Sequence, residues 1–175
     1  DDLAALDGLD IESELSDSVG SEILRDIDRE LLARLNSLAG TVSAFDFALV
    51  DGRYAGEKLA ALSIAIDNLS AQIAMKTKKS GATWMVVSQG VFTALKHASN
   101  GSFVPATASA QPEISTSLFV GTFANGVRVY VDPYATTETV LLGYKGSEID
   151  TGLIYSPYIP LASNGTVVDP STGDR

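Results

Sequence analysis

The chain predicts an α+β fold, and three observations predict it. Residues 11–38 place an apolar side chain every three or four positions, the stripe of one long amphipathic helix. Residues 117–144 change period: apolar and polar side chains alternate, as on a strand with one buried face. Between them lie two shorter helical stripes flanking one apolar, β-branched run. Helical and strand patterns are thus partly segregated along the chain, which separates α+β from a regular α/β alternation.

Residues 1–9 read as a helix tail or short turn that stops at Gly8. Asp10 is the expected N-cap of the long helix, and Glu12 and Glu14 suit the positive end of its dipole. Apolar residues then fall at 11, 15, 19, 23, 27, 31 and 35, joined by Leu24, Leu32 and Leu38, with Asp, Glu and Arg opposite. A helix over 11–38 would be about 42 Å long. Taken alone, such a stripe fits a coiled coil or bundle. Gly20 is the expected place for a bend, and residues 36–40 close the helix.

Residues 41–51 form a connection that contains the triplet FDF at 45–47. Residues 52–57 (GRYAGE) lead into a second helix, and their glycines match neither phosphate-binding pattern. Leu59, Leu62, Ile66, Leu69 and Ile73 make a stripe of only about two heptads, better suited to packing on a sheet than to a coiled-coil seam. Lys76, Lys78 and Lys79 favour its C-terminal end, with Gly81 as the stop. Residues 83–87 form a buried strand. Ser88 is read as the cap of a third helix running through Phe92 and Leu95 to His97, which lies at its C-terminus in a structural role. Strand, serine and helix lack the Gly-x-Ser-x-Gly of a nucleophile elbow. Residues 100–115, rich in Ser, Ala, Thr, Pro and Gly, predict an exposed loop.

Asn125-Gly126 predicts a tight hairpin turn. After it, Val127, Val129 and Val131 share one face while Arg128, Tyr130 and Asp132 share the other. Pro133 cannot donate to a ladder and should end the strand or mark an edge. A third run covers 139–144 and a fourth 153–159, and Asn164-Gly165 offers a second hairpin turn.

Composition narrows the function. The chain has 45% hydrophobic and 19% charged residues, a globular balance, and no apolar run near the ~20 residues that span a bilayer. It has no cysteine and one histidine, which excludes disulfides and thiol chemistry, leaves no room for a multi-histidine metal site, and fits an intracellular origin. The net charge is −10, of which residues 1–40 supply −8 through 11 acidic and 3 basic side chains. Such a surface repels nucleic acid and anionic membrane. Asp132, Glu138, Glu148, Asp150 and Lys145 surround the strand-rich half without an acid/base spacing, and no run matches a calcium loop. No catalytic, cofactor-binding or metal residue is therefore expected. The chain opens at Asp1 without a methionine and reads as a fragment or processed product.

Three blocks in fixed order, 126–135 (GVRVYVDPYA), 142–146 (LGYKG) and 150–159 (DTGLIYSPYI), resemble the major capsid proteins of T-even-type tailed phages. The segments 8–15 (GLDIESEL), 27–31 (IDREL) and 45–47 (FDF) extend the resemblance over nearly the whole chain. The resemblance implies the Hong Kong 97-type capsid fold. Residues 1–50 would belong to the peripheral domain with its spine helix, 51–162 to the axial domain with a mixed sheet and flanking helices, and 163–175 to the return toward the peripheral domain. It implies a non-enzymatic shell subunit that assembles into hexameric capsomers of an icosahedral head around the DNA genome. Expected partners are further copies of itself, a vertex protein, scaffold and decoration proteins, with no specific nucleic-acid binding, no membrane and no cofactor. The family's N-terminal arm, extended loop and final strand have no counterpart in these residues, so residues 1–175 alone are not expected to assemble. A pentameric vertex paralogue of the same family is the first alternative. An intracellular α+β enzyme or ligand-binding domain is the second.

Overall fold

The computed structural model describes residues 11–46, 52, 54–97, 103–106 and 118–158. The expected turn at 1–9, the Asp10 cap, Phe47, most of the loop at 100–115 and the second hairpin at Asn164-Gly165 lie outside them. The elements are α1 (Ile11–Leu38), α2 (Ala55–Thr77), β1 (Trp84–Ser88), α3 (Gln89–Lys96), β2 (Phe103–Pro105), β3 (Leu118–Phe123), β4 (Val127–Asp132) and β5 (Val140–Gly143). The fold is α+β, as expected: three helices with a mixed five-stranded sheet ordered β2-β3-β4-β1-β5. The chain divides into two compact units, residues 29–154 and residues 1–28 with 155–175.

The larger unit is built on β1. It pairs in parallel with β4, Met85 opposite Val129 and Val87 opposite Val131, and antiparallel with β5, Met85 opposite Leu142 and Val87 opposite Val140. Because side chains alternate faces, this register gathers Met85, Val87, Val129, Val131, Val140 and Leu142 on one side. Leu62 and Ile66 of α2 and Leu95 of α3 close over them. Met85 and Val129 have no exposed surface, and each such buried side chain contributes about 1.5–3 kcal/mol. Phe92 of α3 meets Phe103 edge-on at 5.7 Å between ring centroids, which extends the core toward β2. The valine alternation of β4 is therefore seen as expected, and the strand ends at Asp132, just before Pro133.

Four expectations need correction. The hairpin between β3 and β4 is not a two-residue turn. Phe123 pairs with Val127 across Ala124–Gly126, and Gly126 takes φ +82°, the left-handed position that closes a three-residue loop. The second helix stops before Gly81. Lys78 adopts the left-handed conformation, φ 57°, and its N–H donates to the Ala74 carbonyl at 2.9 Å. Gly81 serves packing instead, since a Cβ there would lie 2.6 Å from Ser70 Oγ, the group that accepts the Ala82 N–H at 2.9 Å. The region 100–115 contains the short strand β2, antiparallel to β3 at the sheet edge, where Pro105 costs no ladder bond. Finally, 153–158 forms no strand; Ile154, Tyr155 and Tyr158 are exposed and Pro157 interrupts the run.

The smaller unit holds the first turns of α1, and the helix runs without interruption through Gly20. An Arg25–Glu22 pair at 3.2 Å decorates its surface. Its stripe is not buried: Leu15, Val19, Ile23 and Leu24 are 39–64% exposed.

Candidate interaction surface

Beyond β5 the chain makes a braced loop. Lys145 and Thr151 form an antiparallel bridge, and the Gly146 N–H donates to the Asp150 carbonyl at 2.9 Å. The Lys145 N–H donates to Thr83 Oγ1 at 2.8 Å, and the Asp150 N–H to Ser147 Oγ at 3.2 Å. Asp150 Oδ2 accepts from Lys79 Nζ at 2.6 Å and from the Tyr144 hydroxyl at 3.2 Å. Lys79 lies just past α2, so the pair ties the loop to a helix end far away in sequence. The hydrogen bond from Lys79 holds the Asp150 carboxyl below its ordinary range, and the same bond raises the Lys79 ammonium. On this frame Ile149 stands 91% exposed, beside the exposed Glu148.

The other end of β5 carries a second carboxylate anchor. Ser88 occupies the N-cap position of α3, but its side chain makes no capping bond. Its hydroxyl donates instead to Glu138 Oε2, and that same oxygen accepts the Val91 N–H at 3.1 Å. The expectation that Ser88 caps the helix is thus corrected: Glu138 satisfies the open helix end and Ser88 positions it. Gly90 makes this possible, because a Cβ there would collide with the Glu138 carboxylate.

Between these anchors lies an apolar groove of about 880 Å³. Ala65, Leu69 and Ile73 of α2 line it together with Val140 and Leu142 of β5 and residues 39–45, and Lys76 and Glu138 add one charge of each sign. Lys76 Nζ donates to Thr41 Oγ1 at 2.7 Å, also on the groove wall. A smaller cavity of about 240 Å³ lies on the other face of the sheet, between residues 29–36 of α1 and Val86 and Leu141. There the Arg29 guanidinium sits 5.1 Å from the centre of the Tyr134 ring.

The polar groups singled out in the sequence do not converge. Asp132 Oδ1 accepts the Tyr134 N–H at 2.9 Å in a local turn, Glu138 serves α3, and Asp150 serves Lys79 and Tyr144. His97 ends α3, its N–H donating to the Thr93 carbonyl at 3.3 Å. Among the described residues no group of three His, Cys, Asp or Glu could hold a metal ion, and no helix is long and apolar enough to cross a membrane. Sequence reasoning missed both anchors. Each links positions at least 47 residues apart, and nothing local marks Glu138 or Lys79.

What the geometry offers is a set of surfaces rather than a converged polar site. The family model of the major capsid protein Gp23 matches residues 1–175, the entire chain. The chain belongs to this capsid family. Among its relatives, the major capsid protein of Vibrio phage KVP40 is 32% identical over 91% of this chain and 35% of its own length. That of Serratia phage KSP90 is 33% identical over 91% of this chain and 39% of its own, and that of Enterobacteria phage T4 31% over 91% and 34%. The chain therefore spans little more than a third of the length of these capsid proteins. The capsid resemblance carried by the three sequence blocks is thereby shown at the level of the family.

Proposed function

We propose that the chain forms part of a shell subunit of a tailed-phage head with the Hong Kong 97-type fold. The family match along all 175 residues carries this reading. Residues 1–50 contribute to the peripheral domain, 51–162 form the axial domain, and 163–175 begin the return. Copies assemble into hexameric capsomers, and the heads close around the DNA genome in the host cytoplasm. Work is done by repeated burial of interfaces rather than by chemistry. Ring closure requires heterologous contacts, in which one patch of a subunit meets a different patch of the next. The turn at 145–150, the acidic face of α1 and the region 100–115 are the contact regions. The exposed Ile149 on its braced loop supports the first. Partners are further copies, a vertex protein, scaffold and decoration proteins.

Electron microscopy of the intact gene product, expressed with its assembly factors, tests the reading. Closed heads or tubes of hexamers are expected. Pentamers alone would transfer the chain to the vertex role. A persistent monomer would defeat the shell reading.

A further inference from the structure

We infer that the Glu148-Ile149 tip of one subunit docks into the apolar groove between α2 and β5 of a neighbouring copy, with Glu148 facing Lys76. The inference rests on the shell reading, because it takes a second copy as the occupant.

Three observations carry it. Ile149 is a large apolar side chain left 91% exposed on a loop that is cross-braced at its base, by the Lys145–Thr151 bridge, the Lys79–Asp150 pair and Thr83. A rigid loop pays little ordering entropy on docking, so a bare isoleucine on such a frame is pre-organised for a pocket. The groove offers Leu69, Ile73, Val140 and Leu142 as an apolar floor, and at about 880 Å³ it has ample room for a loop tip. Charge orients the tip locally: it carries Glu148 next to Ile149, and the α2 end of the groove carries Lys76, while the groove's own carboxylate, Glu138, is already held by Ser88 and the Val91 N–H. Neither Glu148 nor Ile149 lines the groove of its own subunit. Tip and groove are distinct patches of one molecule, the heterologous relation that builds rings.

The test uses the intact gene product and its assembly into capsomers and heads, read by sedimentation and electron microscopy. Glu148→Lys and Lys76→Glu should each raise the subunit concentration needed for assembly about tenfold. The double variant should return most of that loss, while all three melt like the wild type. A second measurement uses the absence of cysteine from these residues. Subunits carrying both Ile149→Cys and Ala65→Cys should cross-link into chains and rings on oxidation, and either single variant should not. If wild-type subunits assemble but the double charge variant shows no recovery, or the cysteine pair does not cross-link, the contact is overturned and the shell reading stands. A cross-link from the thiol of the Ile149→Cys variant to a different head protein overturns the choice of occupant. Wild-type subunits that stay monomeric overturn both.

Discussion

Helix α1 and strand β4 carry equally regular apolar patterns and meet opposite fates. On β4 the three valines at alternate positions are no more than 4% exposed. On α1 the stripe at Leu15, Val19 and Ile23 is 39–64% exposed. Periodicity states that one face of an element is apolar; it does not say whether the same chain covers it. For β4 the cover comes from α2 and α3 of the same unit. For the first turns of α1 the stripe at Leu15, Val19 and Ile23 is not covered by the other described residues.

That contrast can be broken by experiment. The largest effect should come from Val129→Asp, which places a carboxylate in the centre of the sheet with no water and no partner. It should cost more than about 4 kcal/mol and abolish the cooperative thermal transition. Next, Glu138→Ala removes the acceptor shared by Ser88 and Val91 and leaves a buried hydroxyl and an open helix end. A loss of about 1–3 kcal/mol in a denaturant titration is expected, and Glu138→Gln, which keeps an acceptor oxygen, should recover part of it. Smaller still is the Lys79–Asp150 pair. The Asp150 carboxyl is held low, so its contribution is present above the ordinary aspartate range and fades as the pH falls through the lowered value. Lys79 is raised, so its share is present below the ordinary lysine range and fades as the pH climbs through the raised value. Melting temperature against pH should lose the acid limb of this dependence in Asp150→Asn; an unchanged profile would mean that the pair is cosmetic. Smallest is Val19→Asp on the open stripe of α1. The melt of the isolated subunit should shift by no more than about 0.5 kcal/mol, whereas particle yield from the intact protein should fall. A large monomer destabilisation would show that the stripe is covered after all and erase the contrast.

Local patterns in the sequence carried the fold a long way. The bounds of α1, the existence of the β3–β4 hairpin though not its three-residue loop, the inward valines and the stop at Pro133 follow from spacing and turn chemistry within a few residues. What spacing could not carry is whatever joins distant segments. The parallel pairing of β1 with β4 leaves no local trace. Ser88 carries the right residue type for a helix cap, yet a glutamate fifty positions later takes the bond. Phe103–Pro105 is too short and too proline-marked to register as a strand until β3 lies beside it. Residues 153–158 have the composition of a strand but no pairing strand among the described residues, which illustrates that β propensity is mostly a statement about available partners. The interaction surfaces were legible in part: the turn at 145–150 was visible as a turn, but its bracing by Lys79 was not.

The position of β1 has a consequence for biosynthesis. Its two neighbours, β4 and β5, lie some forty to sixty residues downstream, so during translation the central strand waits with both edges unpaired until β4 has left the ribosome, and with one edge unpaired until Gly143 has. The hairpin of β3 and β4 can form on its own schedule, but the layer that joins it to α2 and α3 cannot close earlier. Long-range pairing of this kind slows folding. A nascent chain halted before β5 would therefore present an apolar, edge-exposed strand to any other nascent copy nearby.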